Sequence, residues 1–159
     1  MRETVDEATL AELLPGDWYV AASNFPMWLN GERTRPRFSY GLVSRDPLVL
    51  SDEVTYVDAE GEPQSIIGTD SWQHDEFVWR GKRLLKLVAS RWSVDGMSDD
   101  ASVLTIRFAK SLVSPSGIDI VVRDGVHHPE LRAMIARATE QFGLTPEDFG
   151  SLSWLAPQA

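Results

Sequence analysis

The sequence predicts an all-β protein with one helix near its C-terminus, and two features of the chain support this. Between Asp17 and Arg123, short segments rich in Val, Ile, Tyr, Trp and Thr alternate with clusters of Gly, Pro, Asp and Asn, which is the pattern of strands joined by turns. After Arg123 the apolar residues recur at helical spacing instead,. Eight consecutive strands with no helix between them indicate an antiparallel sandwich or a closed barrel.

The composition is that of one globular domain and excludes several classes of partner. The chain has 159 residues, a length suited to a single domain. Its formal net charge of −9 argues against nucleic acid and against an anionic membrane surface, since both require clustered Lys and Arg. The absence of cysteine excludes a disulfide, a thiol nucleophile and a thiolate metal site.

The N-terminal residues 1–15 are expected to form a short helix. Thr4 and Glu7 have capping-box spacing, and Pro15 with Gly16 ends the helix,. Its apolar stripe consists of Leu10, Leu13 and Leu14. This acidic segment does not resemble a secretory signal, and no apolar run reaches the roughly 20 residues that cross a bilayer. The chain as given is therefore expected to be cytoplasmic, unless a signal has been removed.

The eight predicted strands are short and follow one another closely. Good turn signals occur at residues 58–61, 80–82 and 114–117, where Gly, Pro, Asp and Ser cluster, and they indicate hairpins of a meander. The strands are predicted near residues 17–23, 37–44, 53–58, 64–73, 83–90, 91–95, 102–110 and 117–123.

A single apolar stripe predicts the C-terminal helix over residues 128–143. The sequence His-Pro-Glu opens it, with Pro at its first position and an acid in its first turn, and Gly143 ends it,. The stripe consists of Leu131, Met134, Ile135, Ala138 and Phe142,. In the tail, residues 144–159, a turn begins at Thr145 and a last short strand is predicted within 151–155.

Three stretches of this chain resemble the lipocalin family. Residues 16–19, Gly-Asp-Trp-Tyr, match the family's G-x-W opening of the first strand, and Arg123 lies where the family keeps an arginine. Residues 130–154 resemble bacterial lipocalins in particular, whereas the family's T-D-Y turn has only the faint counterpart Ser-Asp-Asp-Ala at 98–101. Intracellular fatty-acid-binding proteins also open with G-x-W, but they continue with a helix pair and end on a strand.

The resemblance implies a single domain over residues 1–159, built on an eight-stranded antiparallel up-and-down β-barrel at 16–124. In the family the arginine covers the tryptophan at the closed end of the barrel, which gives Arg123 and Trp18 a structural role here. A guanidinium over an indole face contributes roughly 0.5–2 kcal/mol. At the open end, the long first loop, residues 24–36 here, forms a lid.

That first loop carries an unusual amount of apolar surface, namely Phe25, Met27, Trp28 and Leu29. As a lid these side chains would cover a ligand, since large apolar patches mark binding sites. They could instead fold back onto the outside of the barrel or form a dimer contact.

Alternation along the strands proposes which residues line the barrel, because side chains of a strand point inward at every second position. The resulting wall is aromatic and apolar, as in small-molecule pockets, although the same residues could simply fill a core. With the lid, the predicted ligand-binding residues are Phe25, Met27, Trp28, Phe38, Tyr40, Tyr56, Trp72, Ile106 and Phe108.

Asp70, His74 and Tyr40 are the candidates for catalysis. Asp70 and His74 lie in phase on one predicted strand, so that a carboxylate and an imidazole could form a general acid–base pair,. A solvated rim at the strand end is the competing interpretation.

Other polar groups give weaker signals. His127 and His128 lack the carboxylates of a metal site, and His128 is expected to cap the helix; no metal or cofactor is predicted. Arg33, Arg35 and Arg37 either steer an anionic ligand or form a solvated edge.

Three functions are compatible with these predictions, because fold alone does not decide function. The first is noncovalent binding of a small hydrophobic molecule inside the barrel. The second is an enzyme of secondary metabolism on the same fold, a cyclase or isomerase acting on a largely apolar biosynthetic intermediate, which an intracellular location favours. The third is a chaperone-like or interaction module that uses the loop patch for a protein partner, a second copy of the chain included.

Overall fold

A computed structural model describes residues 5–82, 89–111 and 115–156. Within these ranges one antiparallel sheet contains the strands β1 (Gly16–Ser23), β2 (Arg33–Arg45), β3 (Leu48–Asp58), β4 (Pro63–Gln73), β5 (Glu76–Gly81), β6 (Ala89–Met97), β7 (Val103–Phe108), β8 (Gly117–Arg123) and β9 (Ser153–Trp154). Four short helices accompany it: α1 (Glu7–Leu13), α2 (Pro26–Leu29), α3 (Leu131–Ala136) and α4 (Pro146–Ser151).

The sheet closes into a barrel because β1 pairs on both of its edges. Each strand from β2 to β7 pairs with the next, and β1 pairs with β8 on one side and with β2 on the other. Trp18 accordingly lies opposite both Phe38 and Arg123. The eight-stranded up-and-down barrel is therefore confirmed, and the sandwich is excluded. The short β9 pairs with Ala22 and Ser23 at the far end of β1.

Two apolar cores lie on the two sides of the barrel wall. The inner core contains large side chains such as Trp18, Phe77 and Trp92. The outer core packs Ile135 and Phe142 of the C-terminal region against the outside of β7 and β8. All residues of β8 except Arg123 are consequently buried, which explains its continuous apolar run.

One strand was missed by the sequence analysis. β5 falls on residues that were assigned to a rim and a turn at 80–82, and it forms a hairpin with β4 through the two-residue turn His74-Asp75. Both turn residues have positive φ, 53° and 66°, as a type I′ turn requires, but the turn lacks the Gly that normally signals it. Of the strand predicted at 83–90, residues 83–88 lie outside the described residues, and residues 89 and 90 begin β6.

The predicted helices are shorter than expected. α1 begins at Glu7, where Asp6 Oδ1 accepts a 2.7 Å hydrogen bond from the Thr9 amide and acts as the N-cap; the expected cap, Thr4, lies outside the described residues. The helix predicted over 128–143 is also wrong in its bounds. α3 ends at Ala136, and turns follow up to Gly143.

Close packing on β6 explains the early end of α3. Gly96 lies directly against the backbone of Phe142, and Gly143, at a φ of +65°, lies against the Asp95 carbonyl. A continuous helix would not bring this backbone onto the strand. His128 does not cap α3, because the N-cap residue is Glu130; the His128 ring lies 3.0 Å from the Ser102 hydroxyl instead. In the described part of the chain, no helix is long and apolar enough to cross a bilayer.

Candidate functional site

Arg123 and Trp18 close one end of the barrel. The guanidinium carbon lies 4.0 Å from the centroid of the Trp18 ring, and the Arg123 side chain donates hydrogen bonds to the carbonyls of Pro15, at 2.9 Å, and Leu13. Gly16, at a φ of +126°, has no Cβ to collide with the guanidinium. This explains the G-x-W spacing physically: the Gly makes room for the cation that covers the Trp two residues later.

A cavity of about 160 Å³ lies inside the barrel and is bordered by residues of the first loop. Six of the nine predicted ligand-binding residues border it. Its lining consists of Phe25, Met27, Trp28, Phe38, Tyr40, Asp52, Val54, Ile66, Trp79, Ser90, Trp92, Phe108, Ala109 and Asp119.

The other three predicted ligand-binding residues do not border the cavity. The Tyr56 ring lies behind Trp28, with 5.9 Å between the ring centroids. Trp72 packs edge-on against Phe77 at 5.0 Å, and Ile106 is fully buried in the inner core. These side chains fill space around the cavity, which is the core alternative of the sequence analysis.

The first loop turns its aromatic residues into the barrel. Phe25 and Trp28 are only 4% and 5% exposed, and the Phe25 ring meets Phe108 edge-on at 5.3 Å. Asn24 fixes the loop, because its Oδ1 accepts a 2.7 Å hydrogen bond from the Ile118 amide. Met27, although it borders the cavity, is partly exposed. The geometry is that of a cover over the cavity rather than of a segment folded onto the outside wall.

An aromatic stack fills the barrel beside the cavity. Trp92 stacks on Tyr40 at 5.5 Å and on Phe77 at 4.5 Å, and its indole N–H donates a 2.9 Å hydrogen bond to Asp70 Oδ1. Tyr40 and Trp92 both border the cavity. Tyr40 is one of the predicted ligand-binding residues, whereas Trp92 is not. Its position, in phase with Val94 along β6, would have identified it as inward-facing.

Three carboxyl groups are buried inside this apolar barrel. Asp52 on β3, Asp70 on β4 and Asp119 on β8 are 5%, 0% and 1% exposed. Asp52 and Asp119 border the cavity. Among the described residues, neither oxygen of Asp119, Oδ1 of Asp52, Oδ2 of Asp70 nor the Trp28 indole N–H forms a hydrogen bond of good geometry. The Ser23 hydroxyl and the Trp28 indole nevertheless lie close enough to Asp119 to lower its pKa. A buried polar group without a hydrogen bond lowers the stability of the fold. The presence of these groups is therefore not explained by the stability of the barrel.

Burial raises the pKa of Asp119 to about 7, and the Ser23 hydroxyl and Trp28 indole N–H act in the opposite direction. The carboxyl loses its charge easily because no cation in the described residues compensates it. Near neutral pH, Asp119 therefore exists in both protonation states inside the barrel.

Asp52 and Asp70 interact as a pair across β3 and β4. Burial raises the pKa of both, and the Asp52 carboxylate raises the pKa of Asp70 well above its usual range. The nearby Asp70 carboxyl lowers the pKa of Asp52, whereas Asp52 raises that of Asp70, so Asp70 holds the proton. Burial and these acids also raise the pKa of the Tyr40 hydroxyl. Tyr40 is thus a neutral hydrogen-bonding group rather than a base.

The predicted acid–base pair is not formed. Asp70 contacts Trp92 and Asp52 within the barrel, whereas His74 lies in the exposed turn before β5. The solvated-rim interpretation is correct for His74 and wrong for Asp70. Alternation predicts that the two share a face, but the positive φ of His74 rotates it out of the strand. No group of His, Cys, Asp or Glu in the described residues is arranged to hold a metal ion.

The three arginines of the first loop and β2 do not converge on one site. Arg33 lies over the Tyr56 ring at 5.1 Å, and Arg37 forms a 2.6 Å ion pair with Asp124. Arg35 is exposed at a φ of 53°. Their geometry gives no support to an anion-steering cluster.

No protein-family model and no curated protein sequence matches this chain, but solved structures do. Lobster apocrustacyanin A1 superimposes with a TM-score of 0.65 over 99% of this chain and 88% of that protein, at 12% identity. The siderocalin Ex-FABP gives 0.63 over 92% and 95% at 15% identity. The bovine lipocalin allergen Bos d 2 gives 0.60 over 91% and 93% at 11% identity. The chain therefore has the lipocalin fold, and a particular closeness to bacterial lipocalins is not shown.

Proposed function

We propose that this protein binds a small, largely apolar molecule in the barrel cavity, without covalent chemistry. The observation that carries the proposal is the cavity itself, which is walled by aromatic side chains and covered by Phe25 and Trp28. Ligand sites are concave, mostly apolar and supplied with a few polar groups, and the unpartnered oxygens of Asp52 and Asp119 are such groups. One structural neighbour, a siderocalin, is described as functioning through dual ligand specificities, which agrees with a binding role.

The size of the cavity limits the ligand. Its volume of about 160 Å³ is close to the roughly 150 Å³ of an engineered cavity that binds benzene. Sites for drug-sized molecules measure about 300–1,000 Å³. A one-ring molecule with a short side chain therefore fits the barrel as it stands, and a longer ligand requires displacement of α2.

Calorimetric titration with 2-phenylethanol and with indole tests the proposal. We expect saturable one-to-one binding that is lost in Val54→Phe, because the added ring fills the cavity that Val54 lines. Val43→Phe makes the same change on the exposed outside of β2 and should leave binding intact. If Val54→Phe binds either compound as well as the native protein, or if neither these compounds nor a charged analogue of the same size binds, the proposal is wrong.

A further inference from the structure

We infer that the ligand of this cavity is a small organic cation, an apolar body carrying an ammonium group that Asp119 and Asp52 receive. The inference rests on the proposed function and specifies the chemistry of its ligand. Three independent features of the cavity lead to it: its unpartnered acceptors, its aromatic walls and, among the described residues, the absence of a compensating positive charge.

The unpartnered acceptors are the first feature. Asp119 and Asp52 border the cavity. In the described part of the chain, both oxygens of Asp119 and Oδ1 of Asp52 are buried without a well-formed hydrogen bond, and the Ser23 hydroxyl and Trp28 indole approach Asp119 without forming one of good geometry. An ammonium group carries three N–H donors and no acceptor, so it satisfies such oxygens without leaving an unpaired acceptor of its own. Hydrogen bonds between charged partners are also about twice as strong as neutral ones.

The walls around these carboxyl groups are the second feature. Rings from the first loop, β2, β5, β6 and β7 border the same cavity, among them Trp28, Phe38, Tyr40, Trp92 and Phe108. A cation within about 6 Å of a ring centroid is attracted by the ring's negative face, most strongly where water is excluded. Aromatic walls with carboxyl groups therefore favour a cationic head over a purely aliphatic one.

The charge balance is the third feature. Among the described residues, no Lys, Arg or His borders the cavity. In the described residues, the titratable group that interacts with Asp119 is the Tyr40 hydroxyl, on which Asp52 and Asp70 also act, and β1 and α2 contribute the uncharged Ser23 and Trp28. An anionic ligand would meet uncompensated carboxyl groups, whereas a cation is attracted both locally and by the net charge of −9,.

The protonation of Asp119 agrees with this assignment. Burial raises the pKa of this carboxyl to about 7, so without a cationic partner the carboxyl loses its charge by taking up a proton near neutral pH. A bound ammonium group supplies the positive charge instead and lowers the pKa of the carboxyl.

Three probes with one phenyl body and different head groups test the inference by calorimetric titration at pH 8. They are phenethylamine, which is cationic, 2-phenylethanol, which is neutral, and 3-phenylpropionate, which is anionic. We expect the amine to bind about tenfold more tightly than the alcohol, the difference that one charge-assisted contact makes, and the acid to bind most weakly. In Asp119→Asn the amine should lose its advantage while the affinity for the alcohol is kept.

Two further variants make the outcome decisive. Asp75→Asn changes the net charge equally in an exposed turn and should retain the preference for the amine. Asp52→Asn removes the second acceptor and provides an independent test if Asp119→Asn does not fold, as circular dichroism will show. Binding of the alcohol without preference for the amine overturns this inference alone. Failure of all three probes to bind overturns the proposed function with it.

Discussion

The indole N–H of Trp92 donates a 2.9 Å hydrogen bond to Asp70 Oδ1 in the interior of the barrel. This bond joins β6 to β4 across the inner core, and it lowers the pKa of a carboxyl that burial and Asp52 otherwise raise. It also orients the Trp92 ring, which stacks between Tyr40 and Phe77 and borders the cavity. A polar contact thus fixes the position of an apolar wall.

Trp92→Phe is expected to lower the free energy of unfolding by about 1–3 kcal/mol, the cost of leaving a buried acceptor without its donor. Urea unfolding at pH 7 measures it, and Trp154→Phe, on the half-buried β9, is the control for the loss of an indole. Each single change, Asp70→Leu or Trp92→Phe, already breaks this hydrogen bond. The double variant should therefore lose less free energy of unfolding than the sum of the losses in the two single variants. Strict additivity would contradict a direct energetic coupling.

Arg123→Met is expected to destabilise the protein by about 2 kcal/mol, since it removes the cation above Trp18 and the donors to Leu13 and Pro15 while keeping a long apolar side chain. Thermal and urea unfolding measure this. Arg91→Met is the matched control, because Arg91 forms an exposed ion pair with Glu76 at 2.9 Å, and exposed pairs contribute about 0–1 kcal/mol. Equal effects of the two changes would show that the contact with Trp18 is energetically unimportant.

Most of the barrel could be predicted because its signals are local. Alternation and turn residues identify β1 to β4, and Gly16, Trp18 and Arg123 identify its closed end. β5 was missed because the His74-Asp75 turn adopts positive φ without a Gly. The apolar residues at 128–143 do have helical spacing, but the helix ends early. Gly96 packs against the Phe142 backbone and Gly143 against the Asp95 carbonyl, and these contacts between residues far apart in sequence cannot be predicted from local spacing.

The polar part of the site was harder to predict. Asp52 lies between Leu50 and Val54, and Asp70 between Gly68 and Trp72, so alternation places both carboxyl groups inside the barrel. An Asp in a strand is nevertheless most often exposed, and nothing near Asp52 in sequence reveals that Asp70 approaches it. Asp119 gives no signal at all, because every neighbour on β8 is buried as well.

Gly117→Ala is expected to loosen the cover of the cavity. A Cβ at this position would overlap the Phe25 ring, and extra volume in a packed core costs about 1–3 kcal/mol. The strain is relieved most easily by displacing Phe25 with α2. Hydrogen exchange of the Trp28 amide, which donates a 3.2 Å bond to the Phe25 carbonyl, should accelerate at least tenfold if the cost is about 1.4 kcal/mol.

The control for Gly117→Ala is Gly150→Ala. A Cβ at Gly150 in α4 meets no atom, and Ala is the better helix former, so the exchange of the Trp28 amide should not change. If Gly117→Ala leaves this exchange unchanged while the protein stays folded, the first loop is not held by the Phe25 contact.

Asp119→Asn is expected to make the protein more stable at pH 8 and less sensitive to pH. Between about pH 4 and pH 7, folded Asp119 holds a proton that an unfolded Asp, with a pKa of about 3.9, has lost,. The folded state therefore binds more protons, and its stability falls as the pH rises through this window. Since one pKa unit corresponds to about 1.4 kcal/mol, we expect a gain of roughly 2–4 kcal/mol at pH 8.

Urea unfolding of native and Asp119→Asn protein at pH 5 and pH 8 measures this difference. The raised pKa values of Asp52 and Asp70 act in the same direction, so the variant should keep part of the pH dependence. Asp75→Asn, in the exposed turn, should follow the native curve. If Asp119→Asn is more stable than the native protein and also loses the preference for the amine, Asp119 contributes to binding rather than to folding. Parallel curves for native and variant protein would instead mean that Asp119 is ionised throughout.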